Sequence, residues 1–356
     1  MMDDPYCGYI NRERLLQYAT DIFEKAGMVR HEAAIVADNL VFADRSGMPS
    51  HGIIRVPSYV KRLHDKGTSG NAEIVIEKET ETTARLNGNN AMGQVVAKKA
   101  MQLCIRKAQK SGVAFVGVKG SNHFGMASYY SEMAIPEGMI GMVFTGPAAH
   151  LMAPTGGIEP ILDNNPFSFA VPAGRELPVV LDMATSVVAR GKIAVAMDKG
   201  EKIPPSWAMT IDGHETTDPK EAFNGILLPV GGYKGYGLTV IVGILSAVLN
   251  GGAILSKDVK DFYADTSENQ NVGHLFGCIR IDCFMDTALF KEHMDEIIRE
   301  IKGCRKAPGT EEIYLPGEVE MRHRAENDKH GIPLTENTYK GLIDTAALLG
   351  MEPLQL

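Results

Sequence analysis

The spacing of apolar residues changes once along this chain, and the change limits which folds are open to it. Up to residue 66, apolar side chains recur every three or four positions, which predicts amphipathic helices. The clearest run comprises Ala33, Val36, Ala37, Leu40 and Val41. An earlier helix is predicted over residues 15–23, ending near Gly27, and a third over residues 56–63, ending before Gly67.

Beyond residue 72, short strands alternate with helices, and glycine and proline separate them. The predicted strands are Glu73–Glu77, Val113–Val118, Met139–Phe144, Phe167–Val171 and Val179–Leu181. Helices are predicted at Met92–Ser111, Ala127–Ala134, Leu289–Ile301 and Glu336–Leu349, the last two separated by a loop rich in proline and glycine. We therefore predict an α/β fold in which residues 1–72, rejoined by residues 288–356, form a helical domain and residues 73–287 form a mixed α/β domain.

Charge and composition exclude several classes of partner. The chain is 44% hydrophobic and 22% charged, which is typical of a globular protein. Its formal net charge of -8 argues against binding to nucleic acid, which requires a basic face. The five cysteines are widely spaced and form no CxxC pair, so buried free thiols in a reducing cytosol are expected.

Neither the N-terminus nor any internal run predicts a membrane segment. The first residues are polar and acidic and lack the features of a signal peptide, so a cytoplasmic location is expected. The uncharged run Leu238–Leu249 is shorter than the roughly 20 residues that span a bilayer. A buried core helix is predicted there instead.

A glycine-rich run, GGYKGYG at residues 231–237, precedes that helix. Glycines let backbone N–H groups approach a phosphate, and the charge of Lys234 and a helix N-terminus both favour an anion. A tight turn into a buried helix would explain the same pattern. The usual dinucleotide fingerprint, G-x-G-x-x-G after a strand, is absent, so a Rossmann fold is not predicted.

A second candidate for a cofactor site follows the strand near residue 180. The residues Asp182, Met183, Ala184, Thr185 and Ser186 are predicted to open a helix. Either Asp182 or Thr185 could cap that helix, or its free N–H groups could hold a cofactor. The sequence leaves both readings open.

Two histidines are the candidate catalytic bases. His123 lies in a loop directly after a predicted buried strand, and His51 is followed by Arg55 and Tyr59 at helical spacing. Oxidation of an alcohol requires a base of near-neutral pKa, and a carboxylate is best held by the fork of an arginine. The remaining histidines, including His274, are interpreted mostly as surface residues, and no pattern predicts a metal site.

Together these segments resemble the type-2 malate/L-lactate dehydrogenase family, which includes ureidoglycolate, sulfolactate and diketogulonate-type oxidoreductases. The matching stretches are SHGIIRVPSYV (Ser50–Val60), GVKGSNHFGMASYYSEMA (Gly117–Ala134), APTGGIEPILDNNPFSFAVP (Ala153–Pro172), LDMATS (Leu181–Ser186), GGYKGYGL (Gly231–Leu238) and LPGEVEMR (Leu315–Arg322). They occur in the family's order and cover most of the chain.

The resemblance implies a non-Rossmann mixed α/β cofactor domain, a helical domain built from both chain ends, NAD or NADP as cofactor, and a homodimer. It implies that His123 and His51 are the acid/base candidates and that Arg55 and Tyr59 lie on the substrate-carboxylate side. The residues implied on the cofactor side are Asp182, Met183, Ala184, Thr185, Ser186, Lys234, Gly235, Gly317 and Glu318. The stretches Thr145–His150 and Glu268–Asn271 depart from the family's pattern, which leaves the substrate open.

The predicted reaction is hydride transfer between NAD(P) and a small 2-hydroxy or 2-oxo acid such as malate, lactate or ureidoglycolate. Arg55 would orient the carboxylate, and His123 or His51 would exchange the proton of the 2-hydroxyl group. Two alternatives are a metal-dependent lyase with His51 and His123 as ligands, and a member of the family that binds without catalysis. The residues that hydride transfer needs are all present, which favours the dehydrogenase.

Overall fold

The computed structural model describes residues 6–356 and has a mixed α/β architecture, as predicted. The helices are α1 Arg12–Lys25, α2 Arg30–Arg45, α3 Val56–His64, α4 Gly93–Ser111, α5 Ser128–Ser131, α6 Arg190–Lys199, α7 Pro219–Phe223, α8 Tyr233–Gly243, α9 Thr287–Gly303, α10 Glu318–His330 and α11 Glu336–Leu348. The strands are β1 Tyr6–Ile10, β2 Val75–Glu79, β3 Thr83–Asn87, β4 Val113–Ser121, β5 Met139–Thr145, β6 Phe167–Val171, β7 Val179–Met183, β8 Ala208–Met209, β9 Ile226–Leu227, β10 Val272–Arg280 and β11 Ile332–Thr335.

A seven-stranded sheet forms the centre, with the strand order β2-β3-β4-β10-β5-β6-β7. The pair β3–β4 is parallel and the other neighbouring pairs are antiparallel. This arrangement differs from the parallel, doubly wound sheet of the Rossmann fold. Helix α4 packs across β4 and β10, and the apolar faces of these elements form one hydrophobic core.

Helices from both chain ends share a separate hydrophobic core. Side chains of α1, α2 and α3 pack there with α11 and with the small β1–β11 sheet. The side chain of Asn11 caps α1 by accepting the N–H groups of Glu13 and Arg14, and Thr335 caps α11. Helix α9 contributes no side chain to this core. Its Asp295 instead accepts the N–H groups of residues 174–176, in the turn between β6 and β7.

Three sequence-based expectations are wrong in detail. The stretch predicted as a loop before α11 contains α10 and β11. Asp182 lies within β7, and the next helix begins only at Arg190 without a side-chain cap, so neither Asp182 nor Thr185 caps it. The uncharged run after the glycines is buried on one face only. Helix α8 continues into a π-helical segment, Ile244–Val248, and the other face of these two helical segments is exposed.

The exposed face carries five large apolar side chains. Their exposed fractions lie between 44% and 60%, and the residues are Leu238, Ile241, Ile244, Val248 and Leu249. The opposite face packs on the sheet, where Ser246 and Ala247 lie so close to Gly273 that a Cβ there would overlap the carbonyl oxygen of Ser246. Within residues 6–356, no helix is long and apolar enough to cross a membrane.

Candidate active site

The loop that carries His123 begins where β4 ends and is fixed from several sides. The backbone N–H of His123 donates to Oε1 of Gln270 at 3.1 Å. The hydroxyl of Ser121 lies 2.9 Å from Nε2 of His274, and the ring of Phe124 stacks on the His274 ring at 4.6 Å. A loop held this firmly places the His123 imidazole in one position.

His274 was interpreted as a surface residue, and that interpretation is wrong. It lies in β10, is fully buried, and contacts Ser121 through Nε2 and the hydroxyl of Thr145 through Nδ1 at 2.8 Å. Burial lowers the pKa of His274 to about 3, so this imidazole is neutral at physiological pH. It therefore joins the ends of β4 and β5 on either side of β10.

His51 and Arg55 lie in a tight double turn before α3. Helix α3 begins at Val56, and Gly52 separates the two short 3-10 turns, so His51 does not share a helix with Arg55 and Tyr59. The hydroxyl of Ser50 lies 3.0 Å from Nδ1 of His51, and Nε of Arg55 donates to the Ser50 carbonyl at 2.6 Å.

A buried carboxylate supports this turn from behind. Asp44 of α2 accepts the N–H of Ile53 at 2.7 Å, and burial raises the pKa of Asp44 to about 7. A Cβ at Gly52 would lie 2.1 Å from the Asp44 carboxylate, so no larger residue fits there. The position of His51 therefore depends on glycine at residue 52.

Four of the predicted site residues meet in space. The rings of His51 and His123 stack with centroids 6.0 Å apart, and the Tyr59 hydroxyl lies 2.6 Å from Nδ1 of His123. Arg55 lies near the same group, with its guanidinium carbon 5.9 Å from the centre of the Phe262 ring. The ring of Phe262, which no sequence pattern singled out, lies 5.1 Å from the ring of His123 and 5.2 Å from that of Tyr59.

Both histidines are held in the neutral form. Burial, and after it the positive charge of Arg55, lowers the pKa of His51 to about 4 and that of His123 well below its usual value. Burial also raises the pKa of Tyr59, so its hydroxyl keeps its proton at neutral pH. The site can thus offer a neutral imidazole to a substrate hydroxyl group.

The candidate cofactor residues after β7 lie against the start of α8. Thr185 is fully buried: its N–H and its hydroxyl both donate to the Asn164 carbonyl at 2.8 Å, and its carbonyl accepts the N–H of Val230. The Thr239 hydroxyl of α8 donates to the Thr185 hydroxyl at 2.8 Å. Met183 ends β7, Ala184 follows it, and Ser186 forms an isolated bridge with Pro229.

Asp182 of β7 accepts the N–H of Ser128 at 2.7 Å, at the start of α5. Burial raises the pKa of Asp182 to about 6 despite this hydrogen bond. The carboxylate therefore fixes the far end of the loop that carries His123.

The start of α8 fits an anionic cofactor group. Gly231 and Gly232 have φ values of +62° and +65°, and a Cβ at either would point into open space. Helix α8 has no side-chain cap, so its first N–H groups are available to a ligand. Lys234 is exposed and forms no ion pair within the part of the chain that the structure describes, and Gly235 packs against the Val230 carbonyl.

Gly317 and Glu318 lie beside β7 at the start of α10. Gly317 has a φ of +84° and lies against Val180, where a Cβ would overlap the Val180 carbonyl. The oxygens of Glu318 are already bound by Lys302, Arg322 and the N–H of Leu315. A role for this pair in binding the cofactor stays a prediction. Across residues 6–356, no cluster of three His, Cys, Asp or Glu side chains could hold a metal ion.

Comparisons with known proteins agree with this geometry. A family model described as malate/L-lactate dehydrogenase matches residues 10–343. The malate dehydrogenase of Pyrococcus abyssi is 41% identical over 355 residues, which are 98% of this chain and 96% of that protein. The chain belongs to the malate/L-lactate dehydrogenase family.

One further relative and a solved structure extend the comparison to sulfolactate dehydrogenase. The L-sulfolactate dehydrogenase of Methanocaldococcus jannaschii is 42% identical over 331 residues, 93% of this chain and 94% of that protein. The solved structure of the sulfolactate dehydrogenase from the same organism has a TM-score of 0.90 at 40% identity and covers 97% of this chain and 98% of that one.

Family membership confirms the predicted enzyme class. The chain is an oxidoreductase of the 2-hydroxy acid dehydrogenase type, with a nicotinamide cofactor, NAD or NADP, and a small hydroxy acid as its substrate. The alternatives of a metal-dependent lyase and of a binding protein without catalysis find no support in these comparisons.

Proposed function

We propose that His123 is the acid/base residue of this dehydrogenase and that Arg55 binds the substrate carboxylate. The observation that carries the proposal is the 2.6 Å contact between the Tyr59 hydroxyl and Nδ1 of His123. Because Nδ1 is engaged, Nε2 is the nitrogen left to face a substrate. A base whose second nitrogen is held by a partner has a defined tautomer and orientation.

Proton transfer follows from this arrangement. In oxidation, Nε2 of His123 accepts the proton of the 2-hydroxyl group, and Nδ1–H donates to the Tyr59 oxygen, which stabilises the imidazolium. In reduction, the same proton returns from Nε2 to the oxygen at C2. The nicotinamide, when bound, accepts hydride from C2 or supplies hydride to it.

Arg55 also couples substrate binding to the basicity of His123. The Nε of Arg55 is used by the Ser50 carbonyl, whereas its two terminal nitrogens have no hydrogen-bond partner among residues 6–356 and can hold a carboxylate. The charge of Arg55 lowers the pKa of both histidines. A bound carboxylate offsets that charge, so His123 becomes a stronger base when substrate is present. His51, which stacks on His123, would orient the substrate carboxylate or carbonyl group.

For the cofactor, the start of α8 would hold the pyrophosphate through its N–H groups and Lys234. Gly235 keeps that helix close to the Val230 carbonyl. The other residues proposed for the cofactor side lie in and after β7 and at the start of α10, and they are Asp182, Met183, Ala184, Thr185, Ser186, Gly317 and Glu318. The start of α8 and Lys234 supply the N–H groups and the positive charge that a phosphate requires, and the engaged side chains of Thr185 and Glu318 would hold the neighbouring segments in place.

We further propose a cytoplasmic homodimer with two domains per chain. The helical domain would comprise residues 1–72 and 288–356, and the cofactor domain residues 73–287, with the contact between Asp295 and residues 174–176 crossing the boundary. The exposed apolar face of α8 and the π-helical segment supports a dimer, because a second copy of the chain would bury it. The expected burial of the cysteines is wrong for Cys7, Cys283 and Cys304, which are exposed, and free thiols at these positions suit a reducing compartment.

The substrate test is a panel of 2-oxo acids, each assayed with NADH and with NADPH by the loss of reduced-nicotinamide absorbance. Oxaloacetate and sulfopyruvate head the panel, because two relatives are named for malate and sulfolactate. Pyruvate, which lacks the second acidic group, is the matched comparison. Turnover of a 2-oxo acid supports the proposal, and no turnover of any member with either cofactor contradicts it.

A further inference from the structure

Gln270 is a buried amide that contacts three separate segments of the candidate site. It is only 1% exposed. Its Oε1 accepts the backbone N–H of His123 at 3.1 Å, and its Nε2 donates to the carbonyl of Lys260 at 3.2 Å and, at the limit of hydrogen bonding, to that of Ala148 at 3.5 Å. The orientation of the amide follows from its partners, because the N–H needs an acceptor and the two carbonyls need a donor.

The segments that Gln270 joins surround His123. Ala148 lies in the loop after β5, and Lys260 begins the turn that carries Phe262, whose ring packs on His123 and Tyr59. That turn is held a second time by the fully buried guanidinium of Arg62. Its nitrogens donate to the carbonyls of Phe262, Asp265, Glu268 and Gly67 at 2.8–3.4 Å.

We propose that Gln270 is a positioning residue for the acid/base histidine. It fixes the backbone of His123 relative to the two neighbouring loops and places a neutral group there. The proposal rests on the proposed role of His123. A side chain that only filled space would not need its polar atoms, whereas each end of this amide forms a hydrogen bond with the backbone of a different segment.

The neutrality of Gln270 matters because of the charges that face His123. Arg55, His51, His274 and Arg62 all act to lower the pKa of His123, and the hydroxyl of Tyr59 is protonated. A negative charge at residue 270 would oppose these groups, and His123 would become a stronger base.

Two substitutions separate the shape of Gln270 from its hydrogen bonds. Gln270→Met keeps the length and removes every polar atom, so we expect kcat to fall about tenfold to a hundredfold through misplacement of His123, with an unchanged KM for the cofactor. Gln270→Glu keeps the acceptor for the His123 N–H. Burial and the two facing carbonyls should raise the pKa of its carboxyl group, and the protonated acid can then replace the donor of the amide. We expect this variant to keep the parent's kcat at low pH and to lose activity as the pH rises and the acid ionises.

The matched control is Asn269→Asp, which makes the same amide-to-carboxylate change one residue earlier, on an exposed side chain. The Asn269 oxygen accepts the N–H of Asn271, a bond that aspartate retains. The control should leave kcat and the pH–rate profile as in the parent, because solvent and salt screen an exposed charge.

The proposal is overturned if Gln270→Met keeps the parent's kcat, if Gln270→Glu loses as much activity as Gln270→Met at every pH, if Asn269→Asp loses activity over the same pH range as Gln270→Glu, or if both Gln270 variants unfold at the assay temperature. A titration of the His123 ring by nitrogen-15 NMR gives a readout without turnover. A second step in the His123 titration of Gln270→Glu, caused by ionisation of the buried acid and absent from Asn269→Asp, supports the inference, and identical curves in both overturn it. Absence of activity in the parent protein contradicts the proposed function instead and leaves this titration valid.

Discussion

The hydroxyl of Tyr59 lies 2.6 Å from Nδ1 of His123, although 64 residues separate the two in the chain. Tyr59 projects from α3 and His123 from the loop after β4, so the contact joins the helical core to the central sheet. For Nε2 of His123 to act as the base, the proton of the neutral imidazole must lie on Nδ1, so Nδ1–H donates to the Tyr59 oxygen before and after the ring is protonated. The hydrogen bond between Tyr59 and His123 can therefore persist in both protonation states of His123.

The first prediction concerns this pair. Tyr59→Phe removes the acceptor for the imidazolium N–H, a charged hydrogen bond worth about 1.5–3 kcal/mol, so kcat should fall roughly tenfold to a hundredfold. The pKa of His123 should fall further, and its limb in the pH–rate profile should move to lower pH. Tyr339→Phe is the control, because the Tyr339 hydroxyl donates to the Leu354 carbonyl, near the C-terminus. An unchanged kcat and limb in Tyr59→Phe would contradict the pairing.

The second prediction concerns the charge of Arg55. Arg55→Met should raise the KM for the 2-oxo acid about a hundredfold by removing the carboxylate fork. The charge of Arg55 lowers the pKa of His51 and His123, so its removal should move the limb of kcat/KM to higher pH. Arg55→Lys should keep the limb in place and still raise KM, since lysine retains the charge but not the fork. If the limb of kcat/KM moved to lower pH in Arg55→Met, the assigned effect of the Arg55 charge on the pKa of the two histidines would be wrong.

Local patterns in the sequence predicted much of the fold. The i, i+3, i+4 spacing located α1, α2, α3 and α4 closely, because each helix buries one face. The central strand β10 was not predicted. Its sequence contains Gly273 and Gly277, which are poor strand formers, yet a Cβ at Gly277 would overlap the side chains of Phe115 and Met142.

The candidate site was predicted only in part, for a different reason. His51, Arg55, Tyr59 and His123 could be selected because their chemistry and motifs are local. Phe262, Gln270 and His274 could not, because their contacts with the His123 loop join residues more than a hundred positions apart. The exposure of α8 was missed because an uncharged helix has the same composition whether it is covered by its own chain or by another.

The third prediction concerns the cofactor. Lys234→Ala should raise the cofactor KM roughly tenfold to a hundredfold, because one charged hydrogen bond to phosphate is worth about 1.5–3 kcal/mol. The melting temperature should not change, since Lys234 is exposed and forms no ion pair within residues 6–356. Lys25→Ala, at the exposed end of α1, is the control. Unchanged cofactor binding in Lys234→Ala would show that the glycine run is only a turn.

The fourth prediction concerns assembly. Ile241 is 54% exposed at the centre of the apolar face of α8, so Ile241→Glu should place a charge within a dimer interface and shift light scattering from the dimer mass toward the monomer. Leu348→Glu, at a side chain 87% exposed on α11, should leave the mass unchanged. A monomeric parent protein at working concentration, or an Ile241→Glu dimer as stable as the parent, would exclude this face as the interface.

The last prediction separates the two histidines. General acid–base catalysis contributes about 10²–10⁴-fold, so His123→Ala should lower kcat by that order and remove its limb from the pH–rate profile, with cofactor binding retained. His51→Ala should act mainly on the KM of the 2-oxo acid, because Nδ1 of His51 contacts Ser50, whose carbonyl holds Arg55.

The two rings stack 6.0 Å apart, so each variant should also change the pKa of the other histidine. Removing His51 takes away a neighbouring base whose charged form lowers the pKa of His123, so the His123 limb should move to higher pH. Both variants are measured for kcat, KM and cofactor affinity across pH. If His51→Ala abolishes kcat while His123→Ala only weakens substrate binding, the roles are reversed, and if neither variant changes kcat, the acid/base mechanism proposed here is wrong.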